Sequence, residues 1–310
     1  MELRDRFLGS LVGLAIGDAL GVPFEGRDPG EFSTVTDMSP VPGQNLPRGT
    51  WSDDTSLALC LAESLSERAG FDARDQMDRY LRWEKDGHLS CAGPGFGIGI
   101  TTAEALGNYA RTGVPFSGPT DPGKAGNGCI MRLAPVPLFF SSDPLLALEK
   151  SAESSRTTHG ALACIDACRY FGALIVGATM GCSKDVLLAD HYSPVPEYWG
   201  KAPLVGEIEE VASGSFLRKQ PPEIEGSGYV VKSLEAALWA FATSDSYREG
   251  CLKAVNLGDD TDTTAAIFGQ LAGAYYGIGG IPAEWRSMLE EREIVEGLAM
   301  RLYGARHQPR

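Results

Sequence analysis

Two stretches of this sequence gather carboxylates and hydroxyls more densely than a helix start requires. Thr50-Trp51-Ser52-Asp53-Asp54-Thr55-Ser56 leads into one predicted helix, and Asn256-Leu257-Gly258-Asp259-Asp260-Thr261-Asp262-Thr263-Thr264 leads into another. Ser, Thr and Asp cap helices by accepting hydrogen bonds from the free N–H groups of the first turn. Capping accounts for one such residue per helix, not for two carboxylates in the first motif and three in the second. Crowded carboxylates repel one another unless a cation lies between them. Oxygen donors without nitrogen or sulfur suit hard cations such as Mg²⁺, Mn²⁺ or Ca²⁺. Carboxylates on two helix starts are enough to hold two ions about 3.5–4 Å apart, a spacing used in hydrolysis.

Three further segments carry candidate groups. Gly17-Asp18-Ala19-Leu20-Gly21 ends a predicted helix, where the macrodipole disfavours the Asp18 carboxylate unless a cation or donor offsets it. Glu25 follows in a Pro/Gly loop, where surface glutamates are commoner than catalytic ones. Gly126-Asn127-Gly128, followed by Met131 and Arg132, reads either as a tight turn or as backbone able to aim N–H groups at a phosphate. The loop containing Gly93, Gly95, Gly97 and Gly99 carries the same two readings and is no dinucleotide fingerprint, since no strand leads into it. His159 stands alone after Thr157-Thr158, and nothing suggests a Ser-His-Asp triad.

Helices must position these groups. Apolar residues at helical spacing predict helices over 3–17, 55–68, 144–154, 160–180, 232–243 and 264–277, with no convincing alternation for strands. The fold class expected is all-α, one domain over 1–310. Gly9, Gly13 and Gly17 recur at every fourth position, as do Gly269, Gly273 and Gly277. Glycine costs up to about 1 kcal/mol against Ala in a helix, so the two faces predict close antiparallel packing of these helices, bringing Asp18 near Asp260 and Asp262 and all three opposite Asp53 and Asp54. Residues 181–228, rich in Pro and Gly, read as an irregular excursion, and 38–49 as a shorter loop.

Composition narrows the partners. A net charge of −14 over 310 residues argues against general nucleic-acid binding. No segment reads as a signal peptide or a bilayer span of roughly 20 apolar residues. Seven cysteines without a Cys-x-x-Cys pair fit free thiols in a cytoplasmic protein.

Taken in order, Gly17 to Gly21 with Glu25, Trp51 to Thr55, Gly126 to Gly128 with Met131-Arg132, Thr158-His159 and Gly258 to Thr263 resemble the ADP-ribosylglycohydrolases, the family of dinitrogenase reductase-activating glycohydrolase and related ADP-ribosylhydrolases. The resemblance implies an orthogonal helical bundle with a binuclear Mg²⁺ or Mn²⁺ cleft. It implies Ser52, Asp53, Asp54, Asp260, Asp262 and Thr263 as metal ligands and Glu25, with Asp18 nearby, as catalytic. It further implies Gly97, Gly99, Gly126, Asn127, Gly128 and His159 as substrate-binding residues. The reaction implied is hydrolysis at C1″ of ADP-ribose on a modified protein, arginine-linked first, or on a small ADP-ribosyl substrate. An ADP-ribose-binding protein without turnover and a two-metal nucleotide phosphoesterase are the rival expectations. Two positions depart from the family pattern. Many relatives carry Asp-Ile-Gly-Asn-Thr where this chain has Gly97-Ile98-Gly99-Ile100-Thr101, and Asp259 replaces a usual glycine. An acidic residue at 97 is thereby expected to favour a guanidinium.

Overall fold

A computed structural model describes residues 1–307. Its α-helices run α1 (Leu3–Gly21), α2 (Asp53–Arg68), α3 (Ala73–Asp86), α4 (Ile100–Thr112), α5 (Pro135–Phe139), α6 (Pro144–Thr158), α7 (Leu162–Thr179) and α8 (Lys184–Leu187). They continue through α9 (Tyr198–Lys201), α10 (Gly206–Ala212), α11 (Ser215–Arg218), α12 (Val230–Ala242), α13 (Tyr247–Val255), α14 (Thr261–Tyr276), α15 (Ala283–Met288) and α16 (Arg292–Ala305). The described residues contain only isolated bridges and no sheet.

The centre of the bundle is the crossing of α1 and α14. Gly9 lies against the Gly273 carbonyl, Gly13 against that of Gly269, Gly17 against that of Ala265, and Gly21 against the Asp262 backbone. A methyl at any of the four would overlap the partner backbone, so the missing side chains let two main chains touch. The pairing runs antiparallel, as the glycine spacing predicts, although Gly277 falls just past α14 as its cap. Thr261 Oγ1 donates to the Gly21 carbonyl at 2.8 Å and Ser10 Oγ to that of Gln270 at 2.9 Å, closing both ends of the seam. Arg6 donates to the Ala178 and Ala274 carbonyls, placing a cation at the C-terminal ends of α7 and α14, where the helix dipole favours it.

α1 runs on to Gly21, one turn beyond the predicted end, because its last turn packs into the start of α14. α2 and α14 begin at their acidic motifs. The 181–228 segment differs from the expected irregular excursion. It folds into α8 to α11, which bury Leu187, Trp199, Ile208, Val211 and Phe216 in the core. Helices α3, α4, α13 and α16 add to the predicted set. Two helical stretches, Leu3–Phe24 and Leu162–Thr179, are long and apolar enough to cross a bilayer, contrary to the sequence reading. In this fold 89% and 78% of those windows are buried.

Candidate active site

The two acidic motifs meet because α1 carries the group that starts α2. Asp18 lies in the last turn of α1 and is wholly buried. Its carboxylate accepts from the Ser52 N–H at 2.9 Å, the Thr55 N–H at 3.0 Å and the Thr55 hydroxyl at 2.6 Å. Burial raises its pKa to about 6, and these donors hold it down. They also answer the unfavourable macrodipole. Asp18, expected as a catalytic carboxylate, is thus placed as a cap on α2 and does not line the cavity beyond it.

Beside that cap lies a cavity of about 310 Å³. Glu25, Asp53, Asp260, Asp262 and Thr263 line one side. Gly97, Gly99, Gly126, Asn127, Gly128 and His159 line the rest. Ser52 and Asp54 stand behind this wall. Thr263 Oγ1 donates to Asp54 Oδ1 at 3.3 Å, joining the two motifs. Asn127 Nδ2 donates to Asp260 Oδ2 at 2.7 Å, joining the glycine loop to the second motif. The loop is pinned from below by buried Gln270, whose Nε2 reaches the Ile130 and Met131 carbonyls and whose Oε1 accepts from Ala134 N–H.

Crowding leaves these carboxylates short of compensation. Asp53 is raised well above the usual carboxylate range by burial first, then by Asp18, Glu25 and Asp260. Asp54 follows through burial, Asp18 and Asp262, and Asp262 through burial, Glu25 and Asp260. Asp54 Oδ2 is buried with no hydrogen-bond partner among the described residues. An orphaned carboxylate oxygen among other acids is what a hard cation would satisfy. Among the described residues no three His, Cys, Asp or Glu side chains already form a metal cage. A complete set would draw on the Ser52 and Thr263 hydroxyls as well. The donor types therefore fit Mg²⁺ or Mn²⁺.

Glu25 belongs to an exposed loop at the edge of the cavity, with its carboxyl on the cavity lining near Asp260 and Asp18. Burial, then Asp260 and Asp18, raise its carboxyl to about 7. A two-stranded bridge holds its loop, with Gly26 N–H donating to the Asp259 carbonyl at 2.8 Å and Asp259 N–H to that of Arg27 at 2.7 Å. Asp259 makes this bridge at φ +54°, in the left-handed region that glycine occupies freely. Gly97 stands against Asp53 on the cavity wall. It has φ +87°, and a Cβ there would lie 2.7 Å from Asp53 Oδ1 and 3.1 Å from Ser52 Cβ. A side chain at this position would strain the backbone and require Asp53 to shift. Ile100 is 89% exposed at the cavity rim, and Thr101, Thr102, Met131 and Gly228 also line the cavity. The sequence reading names Thr101 and Met131 only as parts of longer motifs and passes over Thr102 and Gly228, because nothing in a Thr-Thr pair or a lone glycine signals a site before α4 is known to open there.

An all-α bundle whose two acidic helix starts and glycine loop converge on one cleft defines a class of glycosidic-bond hydrolases, and the comparisons name it. The ADP-ribosylglycohydrolase family model matches residues 1–310, and the chain belongs to that family. ADP-ribosylarginine hydrolase Tri1 of Serratia proteamaculans is 36% identical, over 97% of this chain and 80% of its own length. Tri1 of Pseudomonas putida is 37% identical, over 97% and 79%. A solved structure described as an ADP-ribosylglycohydrolase-related protein complex superposes with a TM-score of 0.85 at 45% identity, covering 98% of this chain and 99% of its own. The protein is thus an ADP-ribosyl hydrolase.

Proposed function

We propose that the chain cleaves the glycosidic bond at C1″ of protein-linked ADP-ribose, with arginine as the first acceptor class and two divalent cations, Mg²⁺ or Mn²⁺, as cofactors. The observation that carries this is the convergence of Glu25, Asp53, Asp260 and Asp262 on one cavity floored by Gly126, Asn127, Gly128 and His159. The arginine acceptor is supported by the two Tri1 relatives, whose names specify it. It is also supported by the exposed carboxylates of Asp28, Glu31 and Asp259 around the Glu25 loop, which suit a guanidinium. Ser52, Asp53, Asp54, Asp260, Asp262 and Thr263 would hold the ions, which when bound supply positive charge and a Lewis acid for water and the ribose hydroxyls.

The chain's own groups divide the remaining work. Negative charge along the acidic wall stabilises the oxocarbenium-like state of the distal ribose. Glu25, on the cavity lining, exchanges a proton with the leaving nitrogen or with the attacking water. The glycine loop receives the diphosphate at the opposite end. The seven free cysteines support a reducing, cytoplasmic setting.

The test is incubation with arginine-, serine- and ester-linked ADP-ribosyl substrates, with Mg²⁺, with Mn²⁺ and with chelator. Free ADP-ribose released most rapidly from arginine, and only with a metal, is the expected result. AMP or inorganic phosphate as product would replace the reading with a phosphoesterase, and binding without product would replace it with a binding protein.

A further inference from the structure

The floor of the cavity conceals a cation without a matching anion. Arg132 is wholly buried, forms no ion pair among the described residues, and lies over the Tyr80 ring with its Cζ 5.1 Å from the centroid. Its donors go to neutral oxygens instead. They reach the Gly128 carbonyl, Tyr80 Oη at 3.2 Å, Thr158 Oγ1 at 2.7 Å and Thr157 Oγ1 at 3.3 Å. A buried charge left uncompensated is costly, and this one stands directly behind the Gly126–Gly128 loop.

Counting hydrogens around it determines a tautomer. A guanidinium only donates, so its bond to Thr158 Oγ1 occupies a lone pair and leaves the hydroxyl hydrogen to be placed. The other partner of that hydroxyl is His159 Nδ1 at 2.8 Å. Were Nδ1 protonated, Thr158 would accept twice and its own hydrogen would have no acceptor among the described residues. Nδ1 is therefore the acceptor, and the ring proton sits on Nε2. Nε2 faces the loop, since a Cβ on Gly128 would lie 3.2 Å from it and one on Gly126 3.3 Å. Burial lowers the His159 pKa to about 4, with Cys129 opposing and Arg132 reinforcing, so the ring stays neutral. Arg132 also takes the Gly128 carbonyl. A trans peptide is planar, so the Cys129 N–H points away from the guanidinium. Neither that N–H nor the Gly128 N–H has an intramolecular partner among the described residues.

We propose that Arg132 and Thr158 are positioning residues that hold His159 as an Nε2–H donor and turn the Gly128–Cys129 peptide, so that the cavity floor presents N–H donors to the diphosphate of an ADP-ribosyl ligand. The proposal rests on the ADP-ribosyl reading above. It makes His159 a donor and excludes it as base or nucleophile. It also explains how a chain of net charge −14 receives an anion, because the compensating charge is built in behind the loop.

Long-range ¹H–¹⁵N spectra of the four imidazoles, assigned with His159→Gln, read the tautomer without any substrate. Wild type and Thr158→Ser should show His159 protonated at Nε2 and bare at Nδ1, and Thr158→Val should lose that preference. By calorimetry, Thr158→Val should bind ADP-ribose about tenfold more weakly, the low end for one hydrogen bond to a charged group. Thr158→Ser should bind as wild type, and adenosine, which lacks the diphosphate, should bind all three alike. An Nδ1–H tautomer in the wild type overturns the proposal, even if Thr158→Val fails to fold. So does a folded Thr158→Val that keeps both the tautomer and the affinity for ADP-ribose. If no substrate releases ADP-ribose while the tautomer and the diphosphate-dependent binding hold, the hydrolase reading fails and this one stands.

Discussion

A side chain at position 97 would strain the backbone and press on Asp53, and that gives a departure from the family pattern a steric reading. Gly97→Asp would set a carbon 2.7 Å from Asp53 Oδ1 at φ +87° and add a carboxylate to a wall already short of cations. Left-handed backbone costs a non-glycine residue about 1–2 kcal/mol, and the clash adds to it. The variant should melt lower and lose activity on arginine-, serine- and ester-linked substrates alike, as melting curves and kcat/KM across the three linkages would show. A selective gain on arginine would contradict it. Asp259 is the converse case, a carboxylate at φ +54°, in backbone that glycine adopts without strain. Asp259→Gly should keep the fold and gain up to about 1 kcal/mol in urea unfolding, since strain relief outweighs the added chain entropy. At this scale the sequence announced the carboxylate motifs and the glycine loop, because unusual local density of one chemistry needs no tertiary knowledge. It did not announce that Asp18 caps α2, that Gln270 pins the loop or that Thr158 orients His159. The first two roles exist only through a partner distant in the chain, 37 residues away for Asp18 and Thr55 and 139 for Gln270 and Met131, and Thr158 orients its neighbour His159 only through Arg132, 26 residues away.

Among the elements, the α1–α14 crossing carries the site. Gly13→Ala places a methyl into the Gly269 carbonyl and the flank of Tyr247, and neither backbone has slack at that contact. Forcing the helices apart should cost at least about 1–3 kcal/mol, the usual range for overpacking. It should also weaken activity, because α1 carries Asp18 to the start of α2. Gly107→Ala is the control. Gly107 lies within α4 with nothing within 4 Å of a built Cβ, so the same substitution there should stabilise by about 0.5–1 kcal/mol. Denaturant unfolding of both variants gives opposite signs if the close approach is what matters. Helix periodicity found the Ala- and Leu-rich members of the bundle and passed over α3 and α16. In α3 the period is present, since Met77, Tyr80 and Trp83 recur at helical spacing on one buried face, but the segment is mostly charged and holds a single Ala and a single Leu. The helices of 181–228 escaped for a different reason. They run four to seven residues each, too short for a 3.6-residue period to register, and their order comes from packing onto the core.

For the whole molecule, the acidic cleft ties stability to pH and metal together. Asp18 rises from its ordinary 3.8 to about 6 and Glu25 from 4.5 to about 7, both through burial first, and Asp53, Asp54 and Asp262 rise further in the same direction. A raised carboxyl means that the folded chain binds more protons than the unfolded chain between the two pKa values. Stability then falls as pH increases. For the metal-free protein the contribution is fully present below about pH 4 and is lost as pH climbs through about 6 to 7. Divalent cations bound as proposed would change the sign of the environment, because they would neutralise the same carboxylates and bind only the folded cleft. Melting temperature of chelated protein should therefore drop between pH 5 and pH 8 relative to protein in saturating Mg²⁺ or Mn²⁺, with the gap widening as pH rises. Asp54→Asn removes the carboxylate whose Oδ2 has no partner among the described residues. It should raise the melting temperature of chelated protein at pH 8 while shrinking the gain from metal. Parallel pH profiles with and without metal, in wild type and Asp54→Asn alike, would mean that the crowded carboxylates are held by protons rather than by cations.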